Sequence, residues 1–137
     1  MLKAVSICAA IASMGAVCSA QAQQLPVMTQ QTQTIKRIPL QKFEVPGTNY
    51  ETVIGIAEIA PNVTIGRHSH PGPESGYLLE GEFTLLVDGE VPLPLKAGQS
   101  YNVPPRAIHD AKTGAQGAKV IATYVVERGQ PLASPAK

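Results

Sequence analysis

Beyond residue 22 the chain never holds a 3.6-residue hydrophobic period over ten or more residues, the minimum for a convincing amphipathic helix. It runs instead as short β-favouring stretches punctuated by glycine and proline. Tyr50 to Ile59 alternates with β-branched residues, and Pro61-Asn62 turns the chain. Val63 to His70 reads as the next strand. Tyr77 to Val87 reads as a long one, broken at Glu80-Gly81. Asp88-Gly89 is a tight-turn signal ahead of Val91 to Leu95, whose Pro92 and Pro94 suit an edge strand. Ser100 to Val103 and Ala107 to Ala111 are brief strands around Pro104-Pro105, and Lys119 to Glu127 is a closing strand. Such spacing predicts an all-β domain, a sandwich or barrel, and the length allows one domain of this kind.

The N-terminal end follows a different rule. Lys3 precedes a small, apolar run from Ala4 to Val17, and Ala20-Gln21-Ala22 has the small-x-small pattern of a signal-peptidase site. Residues 1–22 are therefore expected to be a signal peptide, too short in its apolar run to span a bilayer comfortably. The mature protein is expected to be exported, periplasmic or secreted, with no membrane association after cleavage. Residues 23–34, rich in Gln and Thr, are expected to be a flexible lead-in, 35–127 the barrel, and 128–137 a disordered Pro/Ala tail.

Cleavage changes the chemistry available. Cys8 and Cys18 both leave with the leader, so the mature chain has no thiolate and no disulfide. Of 11 basic and 10 acidic residues only Lys3 leaves, which brings the formal net charge to zero. A nucleic-acid partner needs a basic field and is excluded on that ground. No phosphate-cradling glycine loop and no nucleophile elbow are present.

Three histidines remain. His68 and His70 are two apart, so on a strand both imidazoles face one side. Pro71-Gly72-Pro73 then turns the chain and can bring Glu74 back to the same point. The third, His109, is about forty residues away, and joins only if the fold brings it there. Imidazole with carboxylate suits Fe(II), Mn(II), Zn(II), Ni(II) or Co(II), and nothing in the sequence separates these. Two surface histidines on a strand are the plain alternative for the first pair.

Taken together, these positions resemble the two motifs of the cupins. His68, His70, Glu74 and Gly81 match the first in spacing, with Asn62 where the leading glycine stands. Gly98, Pro104 and His109 match the second, with Arg106 in place of its glycine and Thr113 in place of its asparagine. The resemblance implies a single jelly-roll β-barrel that holds one divalent metal through His68, His70, Glu74 and His109. Asn62 can supply glycine's turn geometry, Thr113 is expected to affect a loop, and Arg106 is either a solvated loop residue or a cation at the mouth.

Strand alternation from Glu74 places Gly76 and Leu78 inward, and Gly76 is expected to leave room beside the ion. Gly76, Leu78 and Arg106 are thus candidate pocket residues, with Ala107 and Ala111 sharing the parity of His109. Tyr77, Tyr101 and Tyr124 are candidate hydrogen-bonding or acid/base groups, and each also serves as a packing residue. Up to two open positions on the ion would admit water, dioxygen or a chelating substrate. The functional expectation is a metal-dependent enzyme on a small organic molecule, with a dioxygenase first. The alternatives are a redox-inert isomerase or lyase, a non-catalytic metal- or ligand-binding module, and a structural role with homodimerisation through a sheet edge.

Overall fold

The computed structural model describes residues 34–137. The expected leader, and the lead-in up to residue 33, lie outside the described residues. Eight strands and no helix make up the described chain. They are β1 (Ile35–Glu44), β2 (Tyr50–Ile59), β3 (His68–Ser69), β4 (Glu74–Val87), β5 (Leu93–Lys96), β6 (Ser100–Val103), β7 (His109–Glu127) and β8 (Ser134–Pro135). All pairings are antiparallel, and they form one curled sheet of the jelly-roll kind.

β7 is the spine of that sheet. Its second half lies between β2 and β4, so that Ala122 pairs with Gly55 on one side and Gly76 on the other. Its first half pairs with the far end of β4, Val87 to Phe83, and at His109 with β3. β1 covers the free side of β2. β5 and β6 cover β4, and β5 pairs with nothing else, as the two prolines predicted. The core is built from residues of β2, β4, β5, β6 and β7, with Leu78 wholly buried and Phe83, Leu85, Leu95, Val103 and Val120 in the same cluster.

Four expectations change. Val63 to His70 is not one strand. Thr64 makes an isolated bridge to Lys112, Gly66 takes a φ of 103°, and only His68–Ser69 returns to the sheet. Ala107 to Ala111 and Lys119 to Glu127 are not separate: the intervening residues carry the ladder through, and β7 is continuous over 19 residues. The break expected at Glu80-Gly81 is a slip of register inside β4, where Gly81 approaches so closely that a Cβ would enter the Gly117 carbonyl. Finally, residues 128–137 do not end as a loose tail, because Ser134–Pro135 pairs with β3. The polar lead of that segment hid its two-residue strand, which is too short to show a period.

Both glycine replacements keep the backbone that glycine favours. Asn62 (φ 57°) and Arg106 (φ 61°) are the two non-glycine residues in the left-handed region among the described residues. Asn tolerates it well and Arg does not. Thr113, expected to affect a loop, is buried in β7, where its hydroxyl donates to the Ala60 carbonyl (2.8 Å) and accepts from the Val63 amide (2.9 Å). It ties the turn at Asn62 to the sheet.

Candidate metal centre

The four residues singled out by spacing come together at one end of the sheet. His68 and His109 are cross-strand partners, with ring centroids 4.2 Å apart. His70 follows as the chain leaves β3, 5.0 Å from the His68 ring and 5.1 Å from that of His109. Glu74 opens β4, and its Oε2 lies 3.0 Å from His70 Nε2 and 3.3 Å from His109 Nε2. His70, Glu74 and His109 are buried and His68 is half-buried, on the open side.

The backbone decides which nitrogen each ring offers. His68 Nδ1 donates to the Gly66 carbonyl (2.8 Å), His109 Nδ1 to the Ala107 carbonyl (3.0 Å) and His70 Nδ1 to the Leu132 carbonyl (2.6 Å). A carbonyl oxygen only accepts, so each Nδ1 carries a proton, and each Nε2 is left to offer a lone pair inward whenever its ring is neutral. The ligand atoms available from the three rings lie within 4.8 Å of one another. His70 Nε2 is off the line of any hydrogen bond, Glu74 included, and no other polar atom satisfies it. Lone pairs that face a carboxylate at such distances repel unless a cation stands among them. The three histidines are placed to hold a metal ion, and the donor set fits a borderline divalent one.

The electrostatics agree. Burial works against the Glu74 charge, yet the adjacent His109 and His70 rings and the Tyr101 hydroxyl outweigh it and hold the carboxyl at about 2. Burial also opposes a charge on His109, but the Glu74 carboxylate and the Ala107 carbonyl more than offset this and raise its pKa. His68 moves the other way, lowered chiefly by burial. A positive charge is favoured beside Glu74, on the deep side of the cluster.

Two tyrosines frame that carboxylate. The Tyr101 hydroxyl donates to Glu74 Oε1 at 2.7 Å, and the Tyr124 hydroxyl stands 3.5 Å from the same atom, its ring tilted against His70. Burial and the Glu74 charge push both phenols well above the ordinary tyrosine range. Tyr77, the third candidate, faces solvent. Asp110 was not singled out in the sequence, since an acid beside a histidine looks like surface. It is buried and accepts from the Gly66 and Ala111 amides (2.9 and 2.7 Å), fixing the turn whose carbonyl orients His68.

The histidines open onto a cavity of about 540 Å³. Its floor is small, with Gly55 and Ala57 of β2 beside Ala122 of β7, and its walls are mostly apolar, with Ile35, Ile65 and Phe83 among them, while Arg37 and Arg67 add charge. The candidate pocket residues Gly76, Leu78 and Arg106 do not line it. Gly76 does point inward, but the space it leaves is taken by the Tyr101 ring, which a Cβ would strike. Leu78 is in the core. Arg106 is exposed, and its contribution is its backbone, whose amide donates to the His70 carbonyl (2.8 Å).

A family model described as "Cupin domain" matches residues 55–127. Among curated proteins, dimethylsulfoniopropionate lyase DddW of Ruegeria pomeroyi is 36% identical over 67 residues, 49% of this chain and 43% of that protein. The chain thus matches less than half the length of that relative. Among solved structures, the dimethylsulfoniopropionate lyase DddQ from Ruegeria pomeroyi aligns over 81% of this chain and 56% of its own, with a TM-score of 0.64 at 15% identity. An RmlC-like cupin from Shewanella frigidimarina aligns over 63% of this chain and 84% of its own, with a TM-score of 0.51 at 27% identity. At 15% identity the DddQ likeness speaks for the fold alone.

Proposed function

Because the chain belongs to the cupin domain family, we propose that it is a metal-dependent lyase acting on a small organic acid. One divalent ion is held by His68, His70 and His109, with Glu74 as the fourth ligand. When bound, that ion supplies a Lewis acid for a substrate oxygen. The observation that carries the reading is the inward-facing imidazole cluster beside a carboxylate framed by two phenols, at the end of a mostly apolar cavity. The named relative, a dimethylsulfoniopropionate lyase, directs the choice among metal-dependent reactions, and oxygen chemistry draws no comparable support.

The reaction class is β-elimination. A proton leaves the carbon beside the acid group, a C=C bond forms to the next carbon, and the leaving group departs with its electron pair. Tyr124 lines the cavity with only a long contact to Glu74. It would take that proton as a phenolate, having first released its own to solvent; burial and the Glu74 charge oppose this on their own, and a bound cation would favour it. Tyr101 is committed to Glu74 and serves to position it. The small floor admits the substrate, the apolar part of the lining suits an uncharged leaving group, and Arg37 and Arg67 suit a substrate carboxylate.

The test uses the protein loaded separately with Fe(II), Mn(II), Zn(II), Ni(II) and Co(II). Dimethylsulfoniopropionate and other β-substituted carboxylates are supplied, and the unsaturated acid is followed by NMR. Product with at least one metal, and its loss in Tyr124→Phe at unchanged metal content, is expected. Oxygen uptake without elimination would replace the lyase by the dioxygenase first expected. Retained ligand with no product would leave a binding protein. Export belongs to the same proposal, and the mass of the protein recovered outside the cytoplasm checks cleavage after Ala22.

A further inference from the structure

Residues 130–137 lie beyond the segment matched by the family model, yet they reach the metal centre. His68 and His109 each bond a carbonyl two residues back, so local backbone sets their rings. His70 differs, for its carbonyl partner, Leu132, is 62 residues away. The orientation of His70 therefore depends on where this distant segment lies.

Several contacts hold the segment in place. Ser134–Pro135 pairs with β3, with Pro135 opposite His68 and Ser134 opposite Ser69. The Ala136 amide donates to the Arg67 carbonyl (3.0 Å), and Arg67 Nε donates to the Lys137 carbonyl (3.2 Å). Arg67 is itself steadied by two 2.7 Å bonds to the Asp88 carboxylate. Leu132, Ala133 and Pro135 also form part of the cavity wall.

We infer that residues 130–137 are a clamp that completes the metal centre, with the Leu132 carbonyl as the positioning group for His70. Docked, the clamp keeps the proton on Nδ1 and turns Nε2 towards Glu74. Released, His70 loses its acceptor and is free to change tautomer or rotate. Metal binding and clamp docking are then linked, and each strengthens the other by the same factor. This rests on the reading that the histidines hold a metal.

The experiment compares the full chain with a chain ending at Gly129, using Zn²⁺ alone and a competing chromophoric chelator. The shortened chain is expected to bind Zn²⁺ roughly tenfold to a hundredfold more weakly. In the metal-free proteins, NMR of the imidazole nitrogens is expected to show the His70 Nδ1–H lost on shortening while those of His68 and His109 persist, a pattern that general loosening does not produce. Ala136→Pro removes the donor to Arg67 within a chain of full length and keeps the question decidable if the shortened chain does not fold; a smaller loss of affinity is expected. In the full chain, Zn²⁺ is expected to slow hydrogen exchange at the Ala136 amide. Equal Zn²⁺ affinity in a folded shortened chain, or in Ala136→Pro if only that variant folds, overturns the clamp and leaves the metal site standing. A full chain that binds no Zn²⁺ overturns both.

Discussion

One face of β4 serves two regions of opposite character. Glu74, at its start, is buried among histidines and phenols, while Leu78, four residues on, is buried among Phe83, Val103 and Val120. Both side chains are nearly inaccessible, yet burial means different things in the two places. At Leu78 it removes apolar surface from water and stabilises the fold directly. At Glu74 it opposes the charge, and only the surrounding donors make it tolerable. The apolar region is good at holding the barrel together, and the polar region is good at holding a cation. Substitutions should therefore separate the two properties.

The largest expected separation is His109→Ala. It removes one of three convergent imidazoles, and metal affinity is expected to fall more than about a hundredfold, with most bound metal lost on purification. The metal-free protein should keep its thermal midpoint to within a few degrees, since the Glu74 carboxylate retains the Tyr101 hydrogen bond. Unchanged metal content by elemental analysis breaks the assignment. Leu78→Ala is the converse: a loss of about 2–5 kcal/mol in denaturant unfolding is expected, with Zn²⁺ affinity of the folded fraction unaltered. A matching loss of affinity would mean that core and site are one cooperative unit.

Acidity distinguishes the regions next. Glu74 is depressed to about 2, so its contribution to metal-free stability is present above about 4.5 and lost as pH falls towards 2. His109 is raised, so its contribution is complete below about 6.5 and lost as pH rises through its folded value. His68, lowered by burial, opposes this in part by favouring the neutral ring. A metal takes the place of the His109 proton. The rise in thermal midpoint produced by Zn²⁺ is therefore expected to be small at pH 5.5 and to grow towards pH 8, with affinity climbing up to about tenfold per pH unit while His109 gives up its proton. A metal-induced rise that ignores pH would break this, as it would mean that the histidines already stand neutral.

What could be read from the sequence divides along the same line. Strands β2, β4, β5 and β6 and the meeting of His68, His70, Glu74 and His109 were legible, because strand period and histidine spacing are written in side chains. Gly76 was placed on the correct face but given the wrong task, since the ring that fills its space comes from β6, 25 residues on. Tyr101 and Tyr124 were noticed as hydrogen-bonding or acid/base candidates but not as a pair, for their meeting at one Glu74 oxygen follows from register across β4, β6 and β7. The Leu132 carbonyl left no trace, because every residue carries one. The floor of Gly55 and Ala57 was present in the alternation of β2, but small residues at inward positions also suit plain packing.

The smallest expected effect concerns the glycine that is missing beside the site. Arg106 stands in the left-handed region with its side chain exposed and in no hydrogen bond or ion pair among the described residues. A Cβ there is costly, whereas glycine adopts the same backbone freely but loses more entropy on folding. Arg106→Gly is expected to stabilise the protein by about 0.5–1 kcal/mol in denaturant unfolding. The same change at Asn62 should be nearly neutral, since asparagine already tolerates the turn. The Arg106 amide still reaches the His70 carbonyl after substitution, so Zn²⁺ affinity should not move. A variant that gained stability and lost affinity would show that the guanidinium acts on the site across the mouth. The polar region would then extend one turn further than its buried atoms indicate.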